Sequence, residues 1–133
     1  MIVVADTNII IRLFAKVDNA QQVEAAKKLI RNAKKLVVPV IVFCELVWVL
    51  QSEKSKKEIA SDIRLLMNLQ NLVIADDEVL AGLRMLDDGG DFADGVAQYT
   101  GSQLAGGAST FASFDQGAVS RLSARGIAAM IPQ

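Results

Sequence analysis

The sequence predicts an α/β fold, a sandwich of helices around a central, mostly parallel sheet of four to five strands. Short runs rich in β-branched residues alternate with longer amphipathic segments along the whole chain. The helical length of the connections allows parallel pairing with right-handed crossovers. No internal repeat or low-complexity segment breaks this alternation, so we expect residues 1–133 to form a single domain.

The individual elements follow from local pattern. Strands are predicted at residues 2–5, 36–38, 72–75, 109–113 and 127–131. Helices are predicted at residues 9–15, 20–35, 40–51, 55–69, 76–88, 91–104 and 116–123. Ser55 and Glu58 have the spacing of a capping box at the start of one helix. The segment 40–51 is too apolar for a surface helix, so we expect it to be buried.

The chain is strongly apolar for its length, since 52% of its 133 residues are hydrophobic. This share can exceed what one small core covers, so some apolar side chains should face a partner or a second copy of the chain. A dimer is one arrangement that would cover these side chains.

Cysteine content and the first residues bear on the cellular compartment. The single cysteine, Cys44, excludes an internal disulfide, and the start of the chain lacks the features of a secretory signal. The apolar runs are far shorter than the ~20 residues that a membrane helix needs. We therefore expect a cytoplasmic protein without membrane segments, in which Cys44 is a small buried hydrophobe.

The net charge of the chain is −1, but the charged residues are unevenly distributed along it. Residues 1–75 carry 11 Lys and Arg against 7 Asp and Glu, whereas residues 76–133 carry 3 against 8. The two parts therefore have balances of +4 and −5. The basic positions could meet phosphates, although solvated helix faces are the simpler explanation.

Glu45 is the one charged residue of the predicted third helix, and its helical neighbours Ile41, Trp48 and Val49 are apolar. A carboxylate buried without a partner is strongly destabilising, so this side chain needs a cation, a proton or an exit to water. A metal-binding or catalytic role is one explanation. A structural salt bridge or a helix end that reaches solvent is the other.

Asp6 ends the first predicted strand, and ligands of open α/β sheets bind at the carboxyl ends of strands. An aspartate at this position can also simply cap the following helix, which for a lone Asp is the simpler role. Thr7 and Asn8 share that explanation. Their hydroxyl and amide groups have a second possible role as ligands of a water or a metal.

Two further places carry acids at the start of helices. Asp91 and Asp94 open a late helix on one shared face, where the helix dipole alone would favour them. Asp115 repeats the Asp6 arrangement between a strand and a short helix, so capping is again the simpler role. Ser113 is expected to bond the backbone of the same turn through its hydroxyl.

Taken together, these positions predict one acidic site made of Asp6, Glu45, Asp94 and Asp115. Carboxylates that lie close together repel each other unless a hard cation neutralises them, and oxygen ligands suit Mg²⁺ or Mn²⁺. Such ions activate water and stabilise charge at a phosphoryl centre. The chain has no histidine, which excludes histidine acid–base chemistry, and no glycine-rich phosphate loop follows the first strand.

Four segments resemble those of PIN-domain ribonucleases, in particular VapC-type toxins of bacterial or archaeal toxin–antitoxin pairs. The segments are Val4-Ala5-Asp6-Thr7-Asn8, Glu45-Leu46, Asp91-Phe92-Ala93-Asp94 and Ser113-Phe114-Asp115. The resemblance covers essentially the whole chain. Each segment alone is weak, but all of them in this order and at this chain length are fairly specific.

The resemblance implies a PIN-like α/β/α sandwich that acts as a divalent-metal endoribonuclease with Mg²⁺ or Mn²⁺ as cofactor. The catalytic and metal-binding acids would be Asp6, Glu45, Asp94 and Asp115. The supporting residues would be Thr7, Asn8, Asp91 and Ser113. RNA would be the substrate, and a cognate antitoxin protein would silence a homodimer by filling a groove. Gly95 departs from the pattern, since a better helix former is expected after Asp94.

Other interpretations stay open. The main alternative is a catalytically silent PIN-like binding or regulatory module. A receiver-type signalling domain lacks support, because the first strand is not followed by a pair of acids and no lysine occurs after Lys57. A Mg-dependent phosphatase would need a second acid where Asn8 stands.

Overall fold

A computed structural model describes residues 1–133, in which helices alternate with five short strands. The predicted α/β class with parallel pairing is confirmed, because every strand pair in the structure is parallel. The chain divides into two compact units, Met1–Ala75 and Asp76–Gln133. None of the helices has the length and apolar character needed to cross a membrane.

The first unit contains a three-stranded parallel sheet in the order β1-β2-β3. Its strands are β1 (Ile2–Val4), β2 (Lys35–Val37) and β3 (Leu72–Val73). Its helices are α1 (Thr7–Ile10), extended by a 3₁₀ turn at Ile11–Leu13, then α2 (Ala20–Asn32), α3 (Val40–Leu50) and α4 (Lys56–Met67). The backbone N–H of Ala5 still donates to Val37 at 2.9 Å, so the β1 ladder continues up to the residue before Asp6.

Apolar side chains of the middle strand and two helices form the core of the first unit. Leu36 of β2 is fully buried, as are Phe43 and Leu46 of α3 and Ile59 and Ile63 of α4. Burying one such side chain contributes about 1.5–3 kcal/mol to stability. This core fixes α3, and therefore the position of Glu45, against the sheet.

Helix α3 differs from the buried helix that its composition predicts. Ile41, Trp48 and Val49 are exposed, Trp48 at 76% of its maximal area, and Cys44 is only half-buried. The expectation of complete burial was wrong because one face of α3 packs on the core while the opposite face is also apolar. Hydrophobicity alone cannot tell those two faces apart.

The second unit has a two-stranded parallel sheet, with Phe111 opposite Ala129. Its strands are β4 (Phe111–Ala112) and β5 (Ala129–Met130), and its helices are α5 (Asp76–Asp87), α6 (Phe92–Ala105) and α7 (Gln116–Ala124). All five predicted strands therefore occur. Three of them form one sheet in the first unit, and two form a second sheet in the second unit. The sequence had predicted a single sheet.

Two glycines let helices α5 and α6 approach closely. A Cβ at Gly95 would lie 2.4 Å from the backbone oxygen of Ala81, and a Cβ at Gly82 would lie 2.5 Å from the ring of Phe92. Both distances are far inside van der Waals contact. Gly95, which looked like a departure from a good helix sequence, is thus explained by packing.

Asp88 connects the end of α5 to the end of α7. Its carboxylate accepts hydrogen bonds from Nη2 of Arg125 at 2.8 Å and from Nε at 2.5 Å. The Arg125 hydrogen bond, followed by the charges of Arg125 and Arg121, holds the pKa of Asp88 below its usual value. This two-point contact fixes α7, which carries Asp115 at its start.

Candidate active site

Asp6 lies at the carboxyl end of β1 and caps helix α1. Its Oδ1 accepts a hydrogen bond from the backbone N–H of Thr7 at 2.7 Å, and the residue itself is exposed. The capping role weighed from the sequence is therefore present. Because the cap uses Oδ1, Oδ2 stays available to a ligand.

Thr7 joins Asp6 to Glu45. It is buried, with only 9% of its area exposed, and its hydroxyl donates to Oε2 of Glu45 at 3.1 Å. The backbone of Thr7 thus contacts one carboxylate while its side chain contacts the other. We call Asp6, Thr7 and Glu45 the first cluster.

Glu45 is exposed on the outer face of α3. The expectation that it is buried among apolar neighbours was wrong, because those neighbours are exposed as well. Its carboxylate reaches water, which was one of the exits considered from the sequence. Burial therefore does not force a cation on Glu45, and its functional interest rests on the Thr7 contact.

In the second unit, Asp91 and Asp94 have different tasks at the start of α6. Asp91 caps the helix, its Oδ1 accepting from the backbone N–H of Ala93 at 3.2 Å. Asp94, in the first turn, is half-buried. Desolvation by burial raises the pKa of Asp94, the charges of Asp91 and Asp115 raise it further, and Arg121 opposes them.

Asp115 caps helix α7 through Oδ1, which accepts from the backbone N–H of Ala118 at 3.1 Å. The hydroxyl oxygen of Ser113 accepts from the backbone N–H of Asp115 at 3.0 Å. Both contacts are those expected from the sequence. They orient the Asp115 carboxylate within electrostatic reach of Asp94. We call Asp91, Asp94 and Asp115 the second cluster.

The raised pKa of Asp94 predicts how its charge affects stability. A folded-state pKa above the unfolded value means that the fold disfavours the ionised form, so the contribution of Asp94 to stability falls as pH rises through that folded pKa. Asp94→Asn should therefore raise the free energy of unfolding at about pH 7. We expect at most about 1 kcal/mol, since a half-exposed group is partly screened by solvent.

Urea unfolding of wild type and Asp94→Asn at about pH 7 and about pH 3 measures this effect. The difference in unfolding free energy should vanish at about pH 3, because Asp94 is then largely protonated in both the folded and the unfolded state. Asp18→Asn, at an exposed position outside both clusters, serves as the control. An Asp94→Asn variant that is less stable than wild type at pH 7 would contradict the assigned cause of the pKa shift.

The donors of both clusters suit a hard divalent cation, since each is a carboxylate or hydroxyl oxygen. Neither unit by itself gathers three or more acidic or cysteine side chains into a group that could hold a metal ion. Mg²⁺ is commonly held through only one or two carboxylates and keeps several of its waters. The donor chemistry of each cluster therefore fits Mg²⁺ or Mn²⁺ as a partial ligand set.

Asn8 does not belong to either cluster but lines a groove of about 360 Å³ in the first unit. Arg12 and Gln22 line the same groove. Sequence reasoning missed both, although Arg12 stands one helical turn after Asn8, which places their side chains on one face. Arg121, near Asp94, was missed as well.

Residues 3–97 match the family model of the PIN domain. The matched segment includes Asp6, Glu45 and Asp94, whereas Asp115 lies beyond it. No curated protein matches the chain.

Proposed function

The chain belongs to the PIN domain family, and from that membership we propose that it is a divalent-metal-dependent endoribonuclease that hydrolyses RNA phosphodiester bonds. PIN domains are generally nucleases and typically use divalent metals. We further propose Mg²⁺ or Mn²⁺ as the cofactor and one PIN-like domain over residues 1–133. A catalytically silent PIN-like module is the alternative.

One contact carries the proposal most directly. Thr7 holds two separate carboxylates, Asp6 through its backbone and Glu45 through its hydroxyl, although 38 residues separate Thr7 from Glu45. A capping role explains Asp6 but does not explain why a second acid is bonded to the same residue. A common role of Asp6 and Glu45 in one site at the carboxyl end of β1 explains both hydrogen bonds.

We propose Asp94 and Asp115 as the acids of the second unit that complete the catalytic set, with Thr7, Asn8, Asp91 and Ser113 in support. When bound, Mg²⁺ or Mn²⁺ would supply an activated water and stabilise charge at the phosphorus.

The protein's own groups prepare the site for that chemistry. Thr7 and the backbone N–H of Ala118 orient the carboxylates of Glu45 and Asp115. The charge of Arg121 opposes the rise in the pKa of Asp94, so Arg121 adds a positive charge near Asp94 that would attract a phosphate.

Thr7→Val tests the contact that joins the first two acids. The variant keeps the shape of the side chain and removes the hydroxyl, so Glu45 loses its orienting bond. We expect RNA cleavage to fall by about 10- to 100-fold, the usual effect of removing a group that orients a metal ligand. Thr7→Ser keeps the hydroxyl and should retain most activity. Equal cleavage by Thr7→Val and wild type would show that the contact has no catalytic part.

Labelled single-stranded RNA, incubated with the purified protein in Mn²⁺ or in EDTA, tests the proposed function itself. Cleavage in Mn²⁺ and none in EDTA is the expected result. RNA that is bound but not cut under both conditions would favour the silent module. Hydrolysis of small phosphate esters with RNA left intact would favour the less supported phosphatase.

Exposed apolar side chains support the proposed protein partners. Leu104 is 88% exposed and Phe114 80% exposed, and Trp48 adds a large apolar surface on α3. Isolated exposed apolar residues are common, but large and strongly exposed side chains, aromatic ones above all, favour contact with protein. We propose a cytoplasmic homodimer that acts as a VapC-type toxin, held inactive by a cognate antitoxin protein. Growth arrest on expression, relieved by a small protein encoded directly upstream, would support that assignment.

A further inference from the structure

We infer, on the basis of the proposed ribonuclease function, that the groove lined by Asn8, Arg12 and Gln22 binds one guanine base of the RNA next to the cut. The groove encloses about 360 Å³, at the small end of the ~300–1,000 Å³ typical of ligand sites. That volume suits a single nucleotide. We call it the base groove.

The base groove combines a polar rim with an apolar floor. Its polar groups belong to Asn8, Arg12 and Gln22, and its apolar lining consists of Ile9, Ala25, Ala26 and Leu29. A nucleobase needs this combination, because its faces are apolar and its edges carry hydrogen-bonding groups. An aliphatic side chain of a protein partner would make no hydrogen bonds with these polar groups, whereas the edge of a base can, which favours the base.

Arg12 is held in a fixed orientation across the groove. Its Nη1 donates to the backbone oxygen of Asn8, and its Nη2 donates to Oε1 of Gln22. Both acceptors are neutral, so these bonds orient the guanidinium without cancelling its charge. An oriented guanidinium can stack on a base or donate to its edge with little loss of side-chain entropy.

Gln22 determines which base edge fits. Its backbone N–H is held by Oδ1 of Asn19 at 3.0 Å, which sets Gln22 in the first turn of α2. Because Arg12 occupies Oε1, Gln22 can offer a ligand only its Nε2 donors. Donors from Arg12 and Gln22 favour a base edge with acceptors, such as O6 and N7 of guanine. Adenine has an amino donor where guanine has O6.

The position of the base groove ties it to the proposed reaction. Asp6 caps α1 and Asn8 is the second residue of that helix, so only Thr7 lies between the catalytic candidate and the first groove residue along the chain. The first unit carries a charge balance of +4, which favours the approach of RNA. A base bound here would fix the register of the strand at Asp6.

An NMR titration with 5′-GMP and 5′-AMP in EDTA tests the inference without any cleavage. We expect amide shifts at Asn8, Arg12 and Gln22, and a Kd for GMP about fivefold or more below that for AMP. Gln22→Ala should weaken GMP binding by about fivefold and remove the preference. Gln21→Ala is the matched control, since Gln21 is exposed, adjacent in sequence and outside the groove lining, and it should bind like wild type.

Several outcomes would overturn the base groove: equal binding of both nucleotides, shifts confined to other residues, no binding, or an unchanged GMP preference in Gln22→Ala. Absence of binding would point to a protein side chain as the occupant.

Sequencing the products of a random RNA pool separates this inference from the proposed function. A protein that binds GMP in the groove but cuts no RNA would overturn only the function. Cleavage with the same base preference in wild type and Gln22→Ala would overturn only the groove.

Discussion

Replacing Asp6 by asparagine is expected to lower RNA cleavage by about 10²- to 10³-fold, the usual loss when one group that stabilises transition-state charge is removed. The fold should survive, because asparagine keeps the Oδ1 that accepts from Thr7 and is as good an N-cap as aspartate. The substitution therefore removes the negative charge and little else. Initial rates on labelled RNA in saturating Mn²⁺ measure the effect.

Asp18→Asn is the matched control for this experiment, since it removes one negative charge from an exposed position in the same unit. It should cleave at the wild-type rate. Circular dichroism of both variants shows whether the fold is kept. An Asp6→Asn variant that retains more than about a tenth of wild-type activity would remove Asp6 from the catalytic set.

Gly95→Ala is expected to destabilise the second unit strongly, although alanine is the better helix former. The added Cβ would lie 2.4 Å from the oxygen of Ala81 and 2.8 Å from Cβ of Met85. Overpacking of this kind costs about 1–3 kcal/mol, and more where the neighbour is backbone that cannot move aside. The gain in helix propensity is only about 1 kcal/mol, so the clash decides the sign.

Gly101→Ala, in the same helix α6, is expected to stabilise the protein. A Cβ at Gly101 meets nothing within 4 Å, so this variant should gain up to about 1 kcal/mol from propensity alone. Urea unfolding of both variants gives the comparison. A Gly95→Ala variant as stable as Gly101→Ala would mean that helices α5 and α6 do not pack as closely as the structure shows.

Local features of this chain could be predicted because they depend on neighbours in sequence. The capping box of Ser55 and Glu58 is present, with Ser55 Oγ accepting from Glu58 and Glu58 Oε1 accepting from Ser55. Asp115 caps its helix as expected, and Asp91 caps the helix that it was predicted to open. In each case, the residue type and a spacing of a few positions determine the hydrogen bond.

Features that depend on tertiary placement could not be predicted. Glu45 was expected to be buried because sequence shows the composition of α3 but not which face meets the core. Gly95 looked unfavourable because its role depends on Ala81, which belongs to another helix. The contact of Arg12 with Gln22 joins the turn after α1 to α2, and no periodicity within one element reveals such a contact.

In the candidate site, too, local features could be predicted and tertiary contacts could not. Asp6, Glu45, Asp94 and Asp115 were selected by their places at strand ends and helix starts, which are local properties. The bond from Thr7 to Glu45 and the electrostatic coupling of Asp94 to Asp115 required the structure. The structure therefore adds the partners of each acid, which a sequence pattern does not contain.

Paramagnetic broadening by Mn²⁺ in the amide NMR spectrum tests the central claim most directly. At about one-tenth of an equivalent, Mn²⁺ should broaden the amide signals of Asp6, Glu45, Asp94 and Asp115 together, because we propose that these four acids serve one cation. Broadening confined to the acidic first turn of α5, Asp76-Asp77-Glu78, or to a single one of the two clusters, would contradict a catalytic metal site built from these four acids.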